Sequence, residues 1–117
     1  MPHKAAKLLV DVLDAGAAIQ SFVVGKMLEH YRADKMFRSA VERQFEIIGE
    51  ALRRLANLSP ELTSRISEHE RIISFRNVIA HGYDIVDDTA VWQAIREKLP
   101  VLMSQVRAIL DELERTK

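Results

Sequence analysis

Residues 34–55 read DKMFRSAVERQFEIIGEALRRL. Within this stretch Phe37, Val41, Phe45, Ile48, Leu52 and Leu55 recur every three or four residues, the spacing that gathers side chains along one side of an α-helix. Arg38, Glu42, Glu46, Glu50 and Arg53 fall on the opposite side, so the segment predicts a helix with one buried and one charged face. Asp34 stands ahead of it, where a carboxylate can accept hydrogen bonds from the first free N–H groups. Asn57 to Ser59 closes the helix. Ser59-Pro60 then reads as a cap followed by proline at the first helical position, which starts a short helix or turn.

Toward the N-terminus, Leu8, Val12, Ala15, Ile19, Phe22, Val23, Met27 and Tyr31 keep helical spacing. They predict one long helix over about residues 4–31, with Gly16 and Gly25 as the places where it bends. Toward the C-terminus a third main helix is expected over about residues 68–80, with Gly82 as its stop and Asp84 to Asp88 as a loop and a new N-cap. From Thr89 to about Leu113 the stripe Val91, Ile95, Leu99, Leu102, Val106, Ile109 and Leu113 marks a last helix. Pro100 falls inside that stripe. Its missing N–H and its ring crowd the preceding turn, so the helix should be kinked or split there. Four Gly, three Pro and no run of strict apolar alternation leave strands without support. The chain therefore reads as all-α, an antiparallel bundle of four to five helices in a single domain over residues 1–117.

Composition removes whole classes of function. The 117 residues hold no cysteine, which excludes disulfide scaffolds, thiolate metal sites and cysteine nucleophiles. Seventeen basic residues balance seventeen acidic ones, so bulk charge gives no sign of nucleic acid. Apolar runs are only a few residues long, and the expectation is a cytoplasmic chain without a membrane span. His69-Glu70 begins like a zinc-protease helix, but Ile73 stands where the second histidine is required. His3, His30 and His69 read as solvated surface residues. Glu42, Glu46 and Glu50 share a helical face without a companion Glu-x-x-His, so they read as a charged surface rather than metal ligands. No glycine-rich phosphate loop is present.

Residues 76–83, RNVIAHGY, are different in kind. A permanent cation, an amide, an imidazole and a phenol fall within eight residues at the end of an apolar helix. On an ideal helix Asn77 and His81 share a side, whereas Arg76 and His81 are offset by about 140°. The two converge only if the helix end unwinds or if a second copy faces the first. Chemically the set suits a phosphodiester: histidine exchanges a proton near neutral pH, and a guanidinium pairs with phosphate oxygens. A ribonucleotide brings its own nucleophile, the 2′-hydroxyl, so no metal or cofactor is required. The structural alternative has Arg76 bridging to a neighbouring helix, His81 capping its own helix and Tyr83 packing at the bundle end.

The same eight residues resemble the R-x4-H-x-Y signature of HepT-like toxins in the HEPN superfamily. Residues 41–51, VERQFEIIGEA, are similar to that family's second-helix segment, and residues 86–92 to the stretch after its signature. One departure is Ser64 to Glu70, where many relatives carry an aromatic residue. The resemblance implies a helical homodimer acting as a metal-independent endoribonuclease in a type VII toxin–antitoxin system, with RNA as substrate. It implies that Arg76 binds the scissile phosphate, that His81 is the acid/base residue and that Asn77 orients the phosphate or the histidine. It further implies a separate minimal nucleotidyltransferase antitoxin of the MntA type, which transfers AMP to Tyr83. A non-catalytic nucleotide-binding or interaction subunit of such a nucleotidyltransferase is the alternative expectation.

Overall fold

The computed structural model describes residues 2–80 and 87–115, with side chains for 4–75 and 87–115. Its elements are α1 (Pro2–Val23), α2 (Leu28–Ala33), α3 (Lys35–Leu58), α4 (Pro60–Thr63), α5 (His69–Ala80), α6 (Asp88–Gln93), a π-helical turn (Ala94–Lys98) and α7 (Leu99–Arg115). No strand occurs among the described residues, in keeping with the all-α expectation. The central element is α3, which packs against α1, α2, α4 and α5, while α7 lies along α1.

The stripe on α3 is buried as its spacing predicts: Val41, Phe45, Ile48, Leu52 and Leu55 all lie in the core beside Leu9, Val12 and Ile19 of α1 and Leu102, Val106 and Ile109 of α7. Its caps also form. Asp34 Oδ1 accepts from the amides of Met36 and Phe37 at 3.0 and 3.2 Å, and Ser59 Oγ accepts from Leu62 N at 3.4 Å. At the start of α6 the Asp87 carboxylate accepts from Thr89 N and Ala90 N. Each supplies an acceptor for donors that a helix start leaves without partners.

Two expectations are corrected. The long first helix over residues 4–31 is two helices, because Gly25 takes a φ of +72° and the chain turns between Val23 and Leu28. A left-handed residue ends an α-helix, and glycine adopts that conformation without the steric cost of a Cβ. Gly16, by contrast, stays helical. It lets α7 approach α1: a Cβ at this position would collide with Met103 Sδ and sit 3.4 Å from Leu99 Cδ1. Gly16→Val is therefore expected to lower unfolding free energy by about 1–3 kcal/mol, the usual cost of overpacking, as read from urea denaturation. Wild-type stability for this variant would show that α1 and α7 are not in close contact.

The second correction concerns the third histidine assigned to the surface. His69 is half-buried, with Nδ1 3.1 Å from the carbonyl oxygen of Ile66, whereas His30 is exposed and its Nδ1 accepts from Met27 N at 2.8 Å. The His3 side chain lies outside the described residues. As for Pro100, the disturbance it causes is one wide turn and not a break. Leu99 N donates to the carbonyl of Ala94, five residues back, and α7 continues through the proline. The extra residue in that turn opens room for a ring that an ordinary α-turn would crowd.

Candidate functional site

The backbone places Arg76 and Asn77 in the last turns of α5, as the pattern predicts. Their side chains, together with His81, Gly82 and Tyr83, lie outside the described residues. The described residues on either side of them are tied to the core. Against α3, the Phe75 ring meets Phe45 edge-on with centroids 5.3 Å apart, and Ile72 and Ile73 pack on the core beside it. This contact fixes the helix turn that leads directly into Arg76.

The far side of the motif is held as firmly. Residue 87 caps α6, and Arg32 Nη2 of α2 donates to Thr89 Oγ1 at 2.6 Å. Tyr31, Phe37 and Trp92 form a ring cluster that joins α2, α3 and α6, with centroids 5.4, 5.7 and 6.3 Å apart. Arg38 donates to the backbone carbonyls of Tyr31 and Arg32, tying α2 down on α3. Both described ends of the motif segment are thus bound to the same central helix.

The electrostatics of α3 divide along its charged face. The Arg53 and Arg54 guanidinium groups hydrogen-bond Glu50 at 2.7 and 2.9 Å and hold its carboxyl down at about 2. Burial, and next the nearby Asp88 carboxylate, push Glu42 up from its ordinary range, with Arg38 opposing. Tyr31 is also pushed up, by burial first and then by Glu42 and Asp88. Its hydroxyl is fully buried and has no hydrogen-bond partner among the described residues. Among the described residues no three His, Cys, Asp or Glu side chains are grouped to hold a metal ion, and no helix is long and apolar enough to cross a membrane.

Sequence pattern did not foresee the groove beside the motif. The principal packing of α5 is on α3, and the helix stands away from the rod formed by α6, the π turn and α7. The gap is a cleft of about 440 Å3 floored by Phe45, Ile72, Phe75, Leu99 and Leu102. The signals that could have found it are Pro100, which forces the wide turn, and the small Ala90 and Ala94 on its wall.

One family match runs from within α1 to within α7 and takes in every described helix between them. The family described as HepT-like, ribonuclease HepT-like, matches residues 12–109. This chain belongs to that family. The match takes in the whole segment 76–83 and the α3 core stripe that carries it. A Thermococcus cleftensis protein named "probable ribonuclease HepT" is 32% identical over 94 residues, 80% of this HepT-like chain and 84% of the relative. A Methanocaldococcus jannaschii protein, provisionally named an RNase, is 29% identical over 101 residues, covering 86% and 92% of the two chains. Another provisionally named RNase, from Caldanaerobacter subterraneus subsp. tengcongensis, is 32% identical over 90 residues, 77% and 80% of the two chains. No solved structure matches the chain.

Proposed function

We propose that this HepT-like chain is a metal-independent endoribonuclease and the toxin of a type VII toxin–antitoxin system. The family match over residues 12–109, which contains Arg76, Asn77, His81 and Tyr83, carries the reading. Two copies pair so that one copy's His81 faces the other's Arg76, which overcomes the angular offset of the two residues on one helix. His81 takes the proton of the ribose 2′-hydroxyl, and that oxygen attacks phosphorus. The bond from phosphorus to the 5′-oxygen breaks, and the leaving oxygen receives a proton from the other copy's His81, which starts as the imidazolium while the first starts neutral. A 2′,3′-cyclic phosphate and a 5′-hydroxyl result. Arg76 binds the phosphate oxygens in bidentate fashion where negative charge builds, and Asn77 orients the phosphate or the imidazole.

Tyr83 is the site at which a minimal MntA-like nucleotidyltransferase adds AMP. The added group brings bulk and a phosphodiester charge into a cationic cleft, so it blocks RNA without any change of fold. Purified protein is expected to cut RNA in EDTA, to leave 2′,3′-cyclic ends and to spare DNA. Cleavage that appears only on adding a divalent cation would overturn the mechanism. Tight binding of the nucleotidyltransferase with no RNA cleavage and no growth arrest on expression would establish the non-catalytic alternative.

A further inference from the structure

We propose that the groove between α5 and the α6–α7 rod is a subsite for one nucleobase of the RNA, an inference that rests on the ribonuclease reading above. At about 440 Å3 it has the size of a small-ligand cleft. Its foot is crossed by polar contacts: Lys98 Nζ lies 2.9 Å from Glu68 Oε2, and beyond it Ser67 N donates to Gln105 Oε1 at 2.9 Å while Gln105 Nε2 donates to Ser67 Oγ at 2.8 Å. From that foot α5 runs up to Phe75, and the opposing rod runs down from Ala90 and Gln93. The head of the groove therefore lies at the turn of α5 that continues into Arg76. A group entering there comes from the phosphate end of the site and runs toward the Glu68–Lys98 bridge.

Charge decides which part of a nucleotide fits. The walls carry Glu68, Glu97, Arg71 and Lys98, whose charges cancel. Arg71 and Lys98 are both paired with Glu68, so a phosphate gains no net attraction inside. An uncharged planar base suits this interior. Its faces bury against Ile72, Phe75 and Leu99, and its polar edge needs a donor and an acceptor, which the exposed Gln93 amide on the lip provides together. The phosphate stays outside, at the end of α5 where Arg76 stands.

The test titrates adenosine, guanosine, cytidine, uridine and inorganic phosphate separately into methyl-labelled protein. At least one nucleoside is expected to shift the methyl signals of Ile72, Leu99 and Leu102 saturably, and phosphate to leave them in place. Ala94→Leu fills the groove and should abolish the shifts with helix content unchanged. Gln93→Ala, a surface change that spares the fold, should reduce the difference between the best- and worst-bound nucleoside about tenfold. The same variant should flatten the base preference of RNA cleavage. Methyl signals unmoved by all four nucleosides would overturn the subsite whether or not RNA is cut. Saturable shifts in a protein that cuts no RNA would uphold a nucleobase site and remove the ribonuclease reading. Conversion of a dimer to a monomer by Ala94→Leu, seen by sedimentation, would reassign the groove to a second copy of the chain.

Discussion

His81→Ala is expected to reduce RNA cleavage by about a thousandfold while circular dichroism still reports the wild-type helix content. Proton transfer by a positioned side chain is worth about 10²–10⁴ in rate, and this residue is proposed to serve both at the attacking and at the leaving oxygen. A thousandfold loss corresponds to about 4 kcal/mol of transition-state stabilisation. Two companion measurements separate this role from a structural one. A substrate with 2′-deoxyribose at the scissile position should resist the wild-type enzyme more completely than normal RNA resists the variant, because it removes the nucleophile itself and not only the base that activates it. Arg76→Lys keeps the positive charge but loses the planar fork, so it should fall between wild type and Arg76→Ala. Rapid cutting by His81→Ala, or equal activity of Arg76→Lys and Arg76→Ala, would contradict these assignments.

Local chemistry was the legible part of the fold. Asp34, Ser59 and Asp87 cap helices because a short acceptor at a helix start needs nothing from the rest of the chain, and all three do so here. The α3 stripe was equally plain, since its six apolar positions hold one face over the whole helix. The break at Gly25 was hidden by the stripe itself. Tyr31 keeps its place in the first helix's spacing and is buried, yet it reaches the core from a separate helix. Periodicity records which residues are apolar and does not record φ. Pro100 announced a disturbance, but whether the chain would break or take one wide turn depends on how α7 seats on α1. For the site, spacing alone put Arg76 and Asn77 at the end of α5. How Arg76 meets a histidine some 140° around an ideal helix depends on the course of the helix end or on a second copy of the chain, and helical spacing records neither. The groove depends on the distance between α5 and α7, which are far apart in sequence.

Tyr31 should answer oppositely to two substitutions. The ring is fully buried and touches both Phe37 and Trp92, so Tyr31→Ala removes a large side chain from the junction of α2, α3 and α6. Loss of a buried aromatic of this size costs about 3–5 kcal/mol, and urea denaturation should show it in the midpoint with little change in slope. In the HepT-like reading this junction also holds the start of α6, to which the motif segment is joined, so the same variant should lose RNA cleavage at temperatures where it remains folded. Tyr31→Phe keeps the ring and removes only the hydroxyl, which in its buried position has no hydrogen-bond partner among the described residues. An unsatisfied buried polar group costs about 1–3 kcal/mol, so the Phe variant should be more stable than wild type by about 1 kcal/mol or more. The carboxylates of Glu42 and Asp88 act on this phenol electrostatically but do not bond to it. A destabilised Phe variant would mean that the hydroxyl finds an acceptor in solution. The α2–α6 junction would then be held by a second polar bond, besides that from Arg32 to Thr89, in addition to ring packing.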